Sequence, residues 1–219
     1  MIKSQGWDWK IVKGDFNEIW KTPCIESYYL LNRWQGKKDF LDLGCGRGRH
    51  SIQFGKEGFN VYAFDISEEA IKSCKEWAES EGLSFDYKIG DMLELPYPDN
   101  SMDCIMCRNV INHTDTEGVK KVINEIYRVL RSDGECFLTF CSKDSWAYKM
   151  DWPKVDDNTM LKMQEGPEYG VPHFYADYDL LLELFKDFKI ENIEHVGSFY
   201  EHDDGRVTSY HFHLLIKKV

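Results

Sequence analysis

Three glycines in five residues, Gly44-Cys45-Gly46-Arg47-Gly48, stand between two acids, Asp42 ahead of them and Asp65 beyond. Glycine permits positive φ and lets the backbone approach a ligand with no Cβ in the way. Asp65 lies 17 residues past Gly48, and its carboxylate can accept hydrogen bonds from both hydroxyls of a ribose. An acid at the head of the loop suits an ammonium and repels phosphate. The set is the chemistry of a nucleoside-cofactor site.

Regular elements must hold these residues in place. The apolar run Phe40-Leu41-Asp42-Leu43 predicts a strand over 39–43 that breaks into the glycine turn. A helix is expected over 49–56, ended by Gly58, and a second strand over 60–64 that delivers Asp65. Ser67 reads as the cap of a helix to about Ser80, with Glu68 and Glu69 at its positive end. Further strands are expected at 85–89, 102–107 and 135–140, with an amphipathic helix at 116–129 carrying Val119, Val122, Ile123, Ile126 and Val129 on one face. After these come a helix over 178–185 and strands at 189–196 and 210–216. Strand–helix alternation implies an α/β, Rossmann-like, doubly wound fold. We expect a seven-stranded, mostly parallel sheet with helices on both faces and an antiparallel final strand.

The spacing bears on the cofactor. A dinucleotide fingerprint G-x-G-x-x-G/A counted from Gly44 reaches Arg49, and counted from Gly46 reaches Ser51. The chain instead has D-x-G-x-G-x-G over 42–48. This string resembles motif I of the class I S-adenosylmethionine-dependent methyltransferases. The resemblance continues through Gly90-Asp91-Met92, Met102–Asn109, Glu125-Ile126-Tyr127-Arg128-Val129-Leu130-Arg131 and Gly134, which look like the small-molecule "type 11" branch. Asp133-Gly134 stands where that branch usually has Gly-Gly. The match covers about residues 38–141, under half the chain.

The resemblance implies S-adenosyl-L-methionine as cofactor and methyl transfer to a small molecule. Asp42, Gly44, Cys45, Gly46 and Gly48 would form its turn. Asp65 with Ile66 would take the ribose side, and Asp91 with Met92 the adenine amino group. For Arg108, contact with the cofactor carboxylate and a plain surface ion pair stand about even. His113, just beyond the fourth strand, is the first candidate for a base or substrate contact. Its rival role is a polar helix-start residue. His173 and Tyr175, in Val171-Pro172-His173-Phe174-Tyr175, are candidates for touching substrate or for packing.

No metal set is read from the sequence. Cys104 and Cys107 point to opposite faces of a strand, and His211 with His213 offers only two ligands.

The 219 residues suit one domain. Within it, 1–36 forms a helical cover, 38–141 the cofactor core, 142–176 an aromatic insertion or lid, and 177–219 the end of the sheet. Net charge is −11 with no basic stripe, which disfavours nucleic acid. No apolar stretch approaches a membrane span and no signal peptide is read, so a cytoplasmic location is expected. Seven cysteines, several inside apparent core elements, suit a reducing compartment. Oligomeric state is not legible. Two other classes stay open: a protein-directed methyltransferase, and a non-catalytic nucleoside-binding module. A nicotinamide-linked oxidoreductase is disfavoured by the glycine spacing.

Overall fold

The computed structural model describes residues 4–12, 16–202 and 205–219. Its elements in chain order are α1 (Phe16–Ile19), α2 (Ile25–Arg33), β1 (Asp39–Leu43), α3 (Arg49–Lys56), β2 (Asn60–Asp65), α4 (Glu68–Ser80), β3 (Asp86–Ile89) and β4 (Met102–Cys107). Then follow α5 (Thr116–Val129), β5 (Leu130–Ser142), a single 3-10 turn (Trp146–Lys149), β6 (Thr159–Leu161), β7 (Pro172–Ala176), α6 (Tyr178–Leu184), β8 (Phe188–His202) and β9 (Gly205–Lys218).

The sheet runs β3-β2-β1-β4-β5-β7-β6. Strands β1 to β5 and β7 pair in parallel. β6 is antiparallel to β7, and β9 is antiparallel to both β5 and β8. This is the expected α/β, doubly wound class with an antiparallel end, carrying nine strands among the described residues rather than seven. The two extra strands, β6 and β7, lie inside 142–176, where an insertion or lid and no strand was expected. They form by pairing with each other and with the end of β5, a partner distant in sequence.

Local chemistry explains most boundaries. Ser67 Oγ accepts the Ala70 N–H at 3.2 Å, and the Asp115 carboxylate accepts that of Gly118 at 2.8 Å, capping α4 and α5. The α5 stripe of Val119, Val122, Ile123, Ile126 and Val129 is buried on one side of the sheet. Each such side chain contributes about 1.5–3 kcal/mol of burial. Asp133 and Gly134 were expected to turn the chain into a strand starting at 135. Instead β5 runs unbroken from Leu130, with Asp133 at φ 64° and a register shift opposite Met102–Cys104. The bulge absorbs the turn residues without ending the strand.

The other face of the sheet is covered by α2 and α3. Trp34 is wholly buried against Phe40 and Phe54, whose rings stack at 3.9 Å. Glu135 fixes this cover: Arg33 donates to it twice at 2.8 Å, and Trp34 Nε1 donates at 2.8 Å. Cys104 and Cys107 are both fully buried in separate clusters on opposite sides of the sheet. Among the described residues, no helix is long and apolar enough to cross a membrane.

Strand β1 lies between β2 and β4, so chain connections leave in opposite directions on its two sides. A crevice opens at the carboxyl ends of these strands, where such sheets bind ligands.

Candidate active site

The glycine turn forms the floor of this crevice. Gly44, Gly46 and Gly48 have φ of 75°, 54° and 94°, the left-handed region that favours glycine. A Cβ on Gly44 would collide with the side chain of Val110. One on Gly46 would stand 2.8 Å from the Trp9 ring. Asp65 ends β2 beside the turn. Its Oδ2 accepts the Gly46 N–H at 2.8 Å and its Oδ1 the Ser67 N–H at 2.9 Å. Burial pushes its carboxyl pKa up, against the pull of these bonds. A carboxylate offers about four acceptor positions, so these bonds do not exhaust it.

Asp42 is buried, with Oδ2 accepting the Ser51 hydroxyl at 2.6 Å. Burial raises its pKa to about 6 despite that bond. Cys45 sits in the turn beside Cys74, and that neighbour together with burial keeps its thiol well above the usual range. It serves as a neutral wall.

The pocket encloses about 850 Å³, counting its open mouth. Phe64, Ile66, Gly90 and Met92 line one end; Arg49, His50, Arg108, Val110 and His113 line the other. Asp91 is not on the wall. Its carboxylate is taken by Ser4, through both the hydroxyl and the backbone N–H, and by the Leu93 N–H at 3.0 Å. The adenine-side acceptor expected there is already engaged by the start of the described chain. Arg108 reaches the wall with its Nε 3.8 Å from Glu26.

The expected cover segments divide. α2 packs on the sheet, whereas residues 4–7, Trp9 and Trp20 line the pocket. Trp7, Trp9 and Trp20 form one cluster, with ring centroids 4.6–5.8 Å apart. Arg47 ties this stretch to the turn by donating to the carbonyls of Trp9 and Val12 at 3.0 and 3.1 Å. Gln5 N–H donates to the His113 carbonyl and Asp8 N–H to the Pro167 carbonyl, each at 3.1 Å. The N-terminal stretch and the 142–176 insertion therefore meet at the pocket's rim.

Three candidate side chains separate here. His113 is on the wall. His173 lies behind it, ring centroids 4.9 Å apart. Tyr175, on the same side of β7 as His173, is nearly inaccessible, packed against Tyr148 at 5.2 Å and away from the pocket. It is a packing residue, because two steps along the strand carry it past the pocket wall. Glu168, which sequence reading missed, joins the two histidines: Oε1 is 3.4 Å from Nε2 of each. Trp7 Nε1 donates to the same oxygen at 2.6 Å, and the Lys162 ammonium pairs with Oε2. Burial pushes Glu168 up, but His113, His173 and Lys162 outweigh it and hold the carboxyl well below its ordinary range. Burial pushes His113 down and keeps it neutral.

A methyltransferase-domain family model matches residues 41–138. The matched stretch, just under half of the chain, carries the methyltransferase domain of the type 11 branch. The chain is 34% identical over 120 residues to an uncharacterised protein of Methanocaldococcus jannaschii, covering 55% of this chain and 49% of the relative. It is 26% identical over 187 residues to a ubiquinone biosynthesis O-methyltransferase of Rickettsia conorii, covering 83% and 61%. It thus spans about half to three-fifths of the length of these relatives. In fold the chain is similar to a Pyrococcus horikoshii protein, with TM-score 0.73, 22% identity and coverage of 95% and 94%. A Methanosarcina mazei S-adenosylmethionine-dependent methyltransferase gives TM-score 0.71, 22% identity and coverage of 87% and 97%.

Proposed function

We propose that this protein transfers a methyl group from S-adenosyl-L-methionine to a small-molecule acceptor. One observation carries the reading: a single crevice runs from the Asp65-braced glycine turn to His113 beneath a tryptophan cover. Its residues fit that cofactor. The remaining acceptor capacity of Asp65 suits a ribose hydroxyl. Phe64, Ile66 and Met92 offer apolar walls for a base, with Asp91 contributing only if Ser4 gives way. Asp42 suits an ammonium and Arg108 a carboxylate. When bound, the cofactor supplies a sulfonium methyl that is displaced in line.

The chain's own part is to orient, to exclude water and to handle a proton. Trp7, Trp9 and Trp20 close the acceptor side to solvent. Their ring faces suit an apolar, aromatic or cationic acceptor. A neutral His113 on the wall is in the state a proton acceptor requires. A net charge of −11 speaks against a nucleic-acid acceptor. The name of the Rickettsia relative points the same way, to transfer onto oxygen in that protein.

Titration calorimetry tests the cofactor and a substrate panel tests the reaction. S-adenosylhomocysteine should bind in the micromolar range and NAD more weakly. Acceptors should yield methylated product and S-adenosylhomocysteine by mass spectrometry. Tighter binding of NAD would overturn the reading.

A further inference from the structure

Behind the pocket wall, residues from three separate stretches converge on one point. His113 follows β4, Glu168 lies in the loop before β7, and His173 is on β7. The candidate ligand atoms of the three lie within 4.8 Å of one another. We propose that His113 Nε2, His173 Nε2 and a Glu168 oxygen bind one divalent transition-metal ion of the zinc class.

The spacing is the first argument. Each histidine Nε2 stands 3.4 Å from Glu168 Oε1, long for an imidazole–carboxylate hydrogen bond. Two ligands about 2.0–2.1 Å from one ion at a tetrahedral angle sit about 3.3–3.4 Å apart. The second argument is donor accounting. His173 Nδ1 is 3.1 Å from the Val171 carbonyl, so its N–H is used there. Nε2 is then the ring nitrogen left facing the carboxylate, the atom that a ligating histidine would offer. A ring N–H held by a backbone carbonyl is also how a ligating histidine is commonly oriented.

The carboxylate is fixed in the same manner. Trp7 Nε1 donates to Oε1 and Lys162 pairs with Oε2, leaving a lone pair on Oε1 toward the histidines. Lys162 also offsets the charge of Glu168, so a bound divalent ion keeps a positive excess. An anionic group in the fourth position balances it. Two imidazoles, one carboxylate and an open position make a catalytic rather than a structural ligand set. His113 lines the pocket, so the open position belongs to the acceptor end, a placement that rests on the methyl-transfer reading. A hydroxyl or thiol acceptor held there loses its proton to solvent more readily, and the anion left behind is the better nucleophile.

The test uses the full chain, stripped with EDTA and dialysed against zinc or cobalt(II). Metal is counted by mass spectrometry, and cobalt is read by its visible spectrum. We expect one equivalent bound, with the intense bands of four-coordinate cobalt. His173→Gln and Glu168→Gln should each weaken binding by at least about tenfold. Calorimetry with S-adenosylhomocysteine on the same samples checks that the variants remain folded. Wild-type protein that takes up no stoichiometric ion overturns the proposal without reference to any variant. So does an ion held equally by wild type and both variants, which would place it on thiols such as the half-buried Cys24. Failure to bind S-adenosylhomocysteine would instead strike the methyl-transfer reading and leave the metal result standing.

Discussion

Gly46 donates its backbone N–H to Asp65 Oδ2 at 2.8 Å, so the turn after β1 and the acid ending β2 form one unit. A strand-end acid could be expected to serve the ligand alone. Here it also holds the shape of the loop that the ligand would meet.

Asp65→Ala should therefore damage both binding and folding. Loss of charge-assisted bonds should weaken S-adenosylhomocysteine by about 2–4 kcal/mol. Loss of the bonds to Gly46 and Ser67 should also lower the melting temperature, by about 1–3 kcal/mol of stability. Calorimetry and thermal melts read the two separately; an unchanged dissociation constant would remove Asp65 from the binding site.

Asp42 sets a pH dependence. Its folded pKa of about 6 lies above the ordinary 3.8, because burial disfavours the ion. The folded state thus holds the proton more tightly than the unfolded chain. Its contribution to stability is present below about pH 4 and is lost as pH rises to about 6. A cationic ligand prefers the ionised form, so cofactor affinity should rise through pH 6 and level off above it. Ser51→Ala removes a donor to the carboxylate and should move that rise to higher pH. Calorimetry across pH 5–8 would show it, and a flat profile would mean Asp42 does not face the ligand's charge.

Gly46→Ala places a side chain at φ 54° and 2.8 Å from the Trp9 ring. The left-handed conformation costs about 1–2 kcal/mol for an L-residue. Trp9 must also move, so tryptophan emission should shift to the red and cofactor affinity should fall. Wild-type emission and affinity in the variant would show that Trp9 does not rest on the turn.

Trp7→Phe keeps the ring and removes the N–H donated to Glu168. A hydrogen bond to an ionised group is worth about 1.5–3 kcal/mol. Hydrogen exchange at Gln5 and Asp8, whose amides bond to His113 and Pro167, should speed up together in the variant. In the wild type both should slow when S-adenosylhomocysteine and acceptor bind, as expected of a cover that closes over the methyl. Equal protection in free and bound protein would make these residues a fixed edge of the sheet.

Much of the scaffold was legible because its signals are local. The glycine turn, the Ser67 cap and the five-residue stripe on α5 each announce an element within a few positions. Strand β1 and helices α3, α4 and α5 lie where that reading placed them. Strands β6 and β7 were not legible, since β7 is held by the end of β5, far back in sequence, and β6 by β7. The same holds within the site. Asp42, the glycines and Asp65 carry a pattern, whereas Glu168 is one of two acids in a Gly-Pro-rich loop. It becomes meaningful only when folding sets it beside His113 and His173. Ser4 on Asp91 is the converse case, where a distant partner claims a group that the local motif assigned to the ligand.

The two halves of the crevice come from different parts of the gene. Asp42 to Met92 build the end with the glycine turn, while Trp7 and Trp20 cover the crevice from the N-terminal stretch and Glu168 and His173 back its wall at His113. Inheritance can therefore act on them separately. Substitutions or length changes around residues 4–20 and 146–172 can reshape the rim while the turn and its bracing acid stay intact. A lineage built this way would diversify what it modifies much faster than what it modifies with. Exchanging those two stretches between relatives is a direct laboratory route to the same outcome.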